Sequence, residues 1–146
     1  MSYFIGIMLA LLSAGLAASV KFDRRTFYAM VLIASASYYV LFAVMADSMR
    51  AVMFESLFMT VFIALAVVGF RRSSWVLALG LCGHAVLDLV HGRIVSNPGV
   101  PASWPSFCMS YDVIVALALL VLRTRAAGPN LRLGLAAGQP PTSALP

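Results

Sequence analysis

The sequence predicts an all-α integral membrane protein, a bundle of five transmembrane helices with its N-terminus outside and its C-terminus in the cytoplasm. Three observations carry that prediction. Hydrophobic residues make up 62% of the 146-residue chain and charged residues only 10%, with a mean hydropathy of +0.98, far from the balance of a soluble domain. The apolar residues gather into five runs separated by short polar turns. The basic residues, finally, alternate in density from one turn to the next. In a soluble chain a net charge of +5 would suggest nucleic acid. Here the basic groups lie between apolar runs and read as topology signals, so no nucleic-acid partner is expected.

The first span covers residues 2–20. It ends in Ala17-Ala18-Ser19, which has the look of a signal-peptide cleavage site. The basic cluster Lys21, Arg24 and Arg25 follows the apolar run instead of preceding it, so the segment is expected to stay as a helix. Residues 26–45 form the second span, with Ser35, Ser37, Tyr38 and Tyr39 in its outer half. A short turn through Asp47 and Arg50 leads to the third span at 51–70, which carries Glu55 about one turn inside. Arg71 and Arg72 close it, and the fourth span occupies 75–92. Residues 93–107 hold Pro98, Pro101 and Pro105, which forbid a regular helix and predict a structured loop at the membrane surface. The fifth span, 108–122, carries Asp112 near its start. Residues 1–125 thus make one transmembrane domain. The tail from 126 to 146, rich in Gly, Pro and Ala, is expected to be disordered.

Eight of the ten Lys and Arg residues fall in the first turn, the third turn and the C-terminal flank; Arg50 and Arg93 stand alone in the other two turns. The denser side is the cytoplasmic one. The expected location is the inner (plasma) membrane, multi-pass, with membrane lipids as partners and a homo-oligomer or a larger membrane complex as the assembly. Gly6, Ala10, Ser13 and Gly15 of the first span offer small residues for close helix packing.

Within this frame the polar residues segregate. His84, Asp88 and His91 stand at i, i+4 and i+7 and share one helix face. Glu55, Asp112, Tyr38, Tyr39 and Tyr111 belong to the same outer layer, and the inner half holds no ionisable group. A carboxylate or imidazole inside a membrane is costly unless it pairs, ligates a metal or lines a cavity. Three carboxylates and two imidazoles at matching depth point to a cation or to shared protons. The candidate metal ligands are His84, Asp88, His91 and Asp112, with Glu55 as general base or further ligand. His84 and His91 are about 10 Å apart along the helix. One ion would therefore use a single chelating pair plus Glu55 and Asp112, or Asp88 would bridge two ions. Imidazole mixed with carboxylate suits a divalent ion, zinc first and iron or manganese next.

Tyr38, Tyr39, Trp104, Cys108 and Tyr111 are the candidate lining of a substrate pocket. The tyrosines would donate to an oxyanion or anchor the interface, and Trp104 would anchor the loop or act in a lid. Cys108 reads either as a soft extra ligand or as a small apolar residue at a helix start. Cys82 and Cys108 fit no CxxC pattern, and a disulfide between them is left open. The chain has no GxSxG, P-loop or HExxH, and no spacing gives Ser106 or Ser110 a base.

Certain residues occur in a recognisable order: Asp23-Arg24-Arg25, a lone Glu55, His84-x3-Asp88-x2-His91, Asn97-Pro98, Trp104-Pro105-Ser106, Phe107-Cys108 and Asp112. Over roughly residues 22–122 this resembles the small bacterial membrane proteins grouped as the domain of unknown function DUF6010. Members of that family tend to carry a further histidine where this chain has Gly92. The resemblance implies a site but no assigned reaction. A looser chemical analogy is to the alkaline ceramidases, zinc hydrolases with three histidines and seven spans against two and five here.

These readings favour an intramembrane metal-dependent enzyme, a hydrolase of a lipid or other amphipathic substrate, with its site opening outward. Two alternatives stand beside it. One is a metal-binding or accessory subunit without catalysis. The other is a structural bundle glued by a buried polar network.

Overall fold

The computed structural model of the chain describes residues 1–136. Five α-helices follow one another: α1 (Ser2–Ser19), α2 (Arg24–Met45), α3 (Met49–Arg71), α4 (Ser74–Ile94) and α5 (Trp104–Ala136). All five are long and apolar enough to cross a membrane, and no strand occurs among the described residues. Such helices are compatible with a multi-pass membrane protein. The helix boundaries match the expected spans closely except at α5, which begins at Trp104 inside the Pro-rich segment. Helix also continues through Ala136 into the segment expected to be disordered; the remainder, 137–146, lies outside the described residues.

The turns explain the sharp boundaries. Lys21 and Asp47 both adopt left-handed backbone, with φ of 53° and 50°. At the end of α1 the Lys21 amide donates to the Ala18 carbonyl and the Phe22 amide to Ala17; at the end of α2 the Asp47 amide donates to Val44 and the Ser48 amide to Ala43. Both ends are Schellman closures, built on non-glycine residues. Ser48 then accepts from the Ala51 amide and so starts α3, which makes the α2–α3 connection very short. Asp23 caps α2 through Thr26, and Ser73 caps α4 through Trp75.

Helix α4 sits at the centre: half of its span is buried, against about a tenth of α1. Small residues bring the backbones together. Gly80 lies against the Leu32 side chain, and Gly69 against Leu77. Gly6 of α1 packs directly on the Phe107 carbonyl and the Ser110 hydroxyl of α5, Ala10 is fully buried, and Ser13 hydrogen-bonds Tyr111 at 3.0 Å. Gly6 and Ser13 of the first span are therefore used against α5 of the same chain, whereas Gly15 meets nothing. The apolar core of Leu32, Phe62, Leu77, Leu81, Val115 and Leu119 fills the space between α2, α3, α4 and α5. Large apolar side chains such as Leu12, Leu57, Leu79 and Leu89 are exposed on the perimeter, as expected of a face presented to hydrocarbon.

Candidate metal centre

The buried carboxylates and imidazoles among the described residues are Glu55, His84, Asp88, His91 and Asp112. They all lie toward the end of the bundle where α2 finishes, α3 begins, α4 finishes and α5 begins. The opposite end carries Arg24, Arg25, Arg71, Arg72 and Arg123, all exposed. There the Arg25 guanidinium donates to the Phe70 carbonyl, and that of Arg123 lies 5.2 Å from the Trp75 ring centroid.

The layer is divided into two centres. In the first, His84 and Asp88 of α4 face Cys108 and Asp112 of α5. His84 Nδ1 is 2.7 Å from Asp112 Oδ2 and 3.5 Å from Asp88 Oδ2. The Ser35 hydroxyl donates to Asp112 Oδ1 at 3.0 Å, and the Tyr39 hydroxyl donates to Asp88 Oδ1 at 2.6 Å. The Cys108 thiol points at Asp112 Oδ2 from 4.0 Å. One ligand atom from each of His84, Asp88, Cys108 and Asp112 falls within 4.8 Å of the others. Asp88 Oδ2 and His84 Nε2 are buried without a hydrogen-bond partner; the Phe62 ring meets the imidazole edge-on, 4.9 Å between centroids.

The second centre joins His91 of α4 to Glu55 of α3, Nε2 to Oε1 at 2.7 Å. The same Glu55 oxygen accepts from Asn97 Nδ2 at 2.9 Å, while Glu55 Oε2 is buried and unpartnered. Asn97 also donates to the Tyr39 carbonyl and accepts from the Gly99 amide. These bonds fold the Pro-rich segment over the end of the helices.

Of the residues singled out from sequence, His84, Asp88, Asp112 and Cys108 meet in one donor set; His91 and Glu55 meet in a separate pair. Tyr39 touches both, with its hydroxyl on Asp88 and its ring stacked on His91 at 4.1 Å. Tyr38 is exposed and packs with Phe42 on Trp104. Tyr111 bonds Ser13 rather than an acidic group. Ser106 and Ser110 bond Ser2 and the Tyr3 carbonyl, so they tie α1 to α5 and have no base. Both cysteines are free, Cys82 exposed and Cys108 buried.

Sequence reasoning missed Ser35 as the partner of Asp112, Asn97 as the partner of Glu55, and Phe62 as the cover of His84. Ser35 lies four residues before Tyr39, so the pair shares a face of α2. That spacing was the one available signal.

No family model matches the chain, and no curated protein or solved structure does so either.

Proposed function

We propose that the chain is an intramembrane metal-dependent hydrolase of an amphipathic substrate, with one divalent ion held by His84, Asp88 and Asp112 and with Cys108 beside it. One observation carries the reading. Four ligand-type side chains from two helices converge within 4.8 Å, all at most 3% exposed, and one of their carboxylate oxygens has no partner. Two carboxylates beside one imidazole, removed from water, repel unless a cation or shared protons compensate. Imidazole, carboxylate and thiol together suit zinc, with iron or manganese next.

A bound ion of this kind supplies a water that ionises near neutral pH. Held by His84, Asp88 and Asp112, such an ion would supply the nucleophilic water and the charge stabilisation that hydrolysis of an acyl ester or amide needs. The Tyr39 hydroxyl, already aimed at Asp88, is placed to orient the second carboxylate. Glu55 and His91 are outside the donor set and act in support, positioning Tyr39 through His91 and Asn97.

A second reading also has a specific basis. Ser35 and Tyr39 each donate to one aspartate, and His84 pairs with the other side of Asp112, which is how a shared-proton network gluing helices would look. Elemental analysis of the detergent-purified protein separates the two. Stoichiometric zinc, iron or manganese in the parent, lost in His84→Ala and Asp88→Asn while both stay monodisperse and helical, supports the metal centre and opens a screen of lipid esters and amides. A protein that takes up none of these ions after incubation with each is the proton-sharing bundle.

A further inference from the structure

The metal centre has two flanks, and they differ in access. Toward the end of the bundle, Asn97 is bonded to Glu55 and to the Tyr39 backbone. Gly99 packs so closely on the Phe42 carbonyl that no β-carbon fits between them. The segment is a seated plug.

On the side, α1 lies along α5 but leaves a gap to α2. In that gap a cleft of about 420 Å³ is lined by Leu9 of α1, Val31, Ala34, Ser35 and Tyr38 of α2, and Trp104, Phe107, Cys108 and Tyr111 of α5. This is the size range of small-molecule sites, which combine apolar walls with a few placed polar groups. Two of the lining residues, Ser35 and Cys108, are the ones that touch Asp112. Through them the cleft reaches the donor set, since Cys108 belongs to it and Ser35 hydrogen-bonds Asp112. At the rim, the Trp104 indole is caged by Tyr38, Phe42 and Phe107, and its Nε1 donor is buried without an acceptor. An indole N–H normally finds one when buried.

We infer that the cleft between α1, α2 and α5 is a lateral entry from the hydrocarbon for the acyl chain of a membrane amphiphile, whose polar linkage is led past Trp104 to Ser35 and Cys108 beside the metal centre. The occupant follows from the surroundings. The cleft opens between helices whose outer faces carry Leu12, Met30 and Leu41 exposed, so acyl chains are what lies against it. Trp104 Nε1 matches the carbonyl or hydroxyl of such a molecule, not its tail. The assignment to a substrate rests on the hydrolase reading; occupancy by an acyl chain does not.

The test uses the full chain in lipid nanodiscs doped with a photoreactive diazirine fatty acid and, in parallel, its glycerol ester. After irradiation, labelled peptides are mapped by mass spectrometry and metal content is measured on the same samples. The expected result is label concentrated on Val31, Ala34 and Phe107 over the perimeter residues Leu57 and Leu89 by at least about tenfold. Ala34→Trp, which fills the cleft from an exposed position, is expected to abolish that excess and keep its metal. Leu57→Trp, on the far face, should leave labelling unchanged. His84→Ala should lose metal and keep cleft labelling. Even labelling around the perimeter, or an excess that survives in metal-loaded Ala34→Trp, overturns the proposal. Cleft labelling in a parent that binds no metal leaves the acyl site standing and removes the hydrolase reading. Should Ala34→Trp fail to assemble, Ala34→Leu is read in its place against the same controls.

Discussion

The Tyr39 hydroxyl donates to Asp88 Oδ1 at 2.6 Å, and the ring of the same tyrosine stacks on His91 at 4.1 Å. One side chain thus links the donor set around His84 to the separate pair formed by His91 and Glu55. Tyr39 is 2% exposed, so neither of its contacts is replaced by water when it is cut back.

Tyr39→Phe keeps the stacking and removes the donor. Asp88 then has a second unpartnered oxygen in a dry site, and a stability loss of about 1–2 kcal/mol follows from the usual cost of an orphaned buried acceptor. Helix unfolding in detergent, monitored by circular dichroism, reads it out. If the donor set holds zinc as proposed, adding zinc should recover part of the loss, because the ion would take the freed oxygen. Tyr38→Phe, at an exposed site, is the control and should shift nothing.

Glu55 holds both His91 and Asn97, and neither Glu55 nor His91 belongs to the four-residue donor set. Glu55→Gln should therefore bind metal as the parent does, with the turnover of any identified substrate lowered through the position of Tyr39. Elemental analysis beside His84→Ala is the measurement. Loss of metal in Glu55→Gln would mean that the two centres act as one.

The division into two centres shows where sequence reading stops. Composition and the five apolar runs give five helices because long apolar segments announce themselves locally. The His84–Asp88 pair is equally local, one turn apart on α4. His91 shares that helix face, yet the rise from residue 84 is about 10 Å, and at that height the neighbour is Glu55 of α3, not Asp112 of α5. Which helix stands opposite at each level depends on packing set by Gly6, Gly69 and Gly80, and no periodicity reports it. Cys108 illustrates the same limit. Its residue type fits both an apolar filler and a ligand; its sulfur faces Asp112 one turn along α5, but only the approach of α5 to α4 brings it to His84 and Asp88. The end of α5 was obscured differently, since Gly and Pro in the tail lower helix propensity without saying where the helix stops.

Asp23 is the carboxylate whose pH response is simplest, because it lies outside the spans. Its Oδ2 accepts from the Thr26 hydroxyl at 2.7 Å and from the Thr26 amide at 2.8 Å. These bonds, with the hydroxyl contributing most, hold the carboxyl below its usual 3.8. A carboxyl depressed on folding stabilises the fold above its unfolded value, and the contribution fades as pH falls through the folded value. Asp23→Ala should therefore be less stable than the parent at neutral pH, and the gap should narrow below about pH 3.8. Asp23→Asn, which still caps, should lie between them with less of that pH dependence. Thermal melts across the acid range check the sign.

Gly99 tests whether the segment over the helix ends is a plug. A β-carbon there meets the Phe42 carbonyl, which is backbone within α2 and has nowhere to go, and lies 3.0 Å from the Ala46 side chain. In Gly99→Ala the loop must lift, and the Asn97 bonds to Glu55 and the Tyr39 carbonyl stretch with it. Overpacking of this kind costs about 1–3 kcal/mol. The local signature is faster hydrogen exchange across residues 95–103, measured by mass spectrometry in nanodiscs. The donor set on α4 and α5 does not touch Gly99, so metal content should hold. If the plug is what denies water the direct route, the variant should also let a membrane-impermeant chelator strip the ion faster than from the parent, whereas Ala34→Trp should not. Equal stripping rates in parent and Gly99→Ala would show that the end of the bundle was never the barrier.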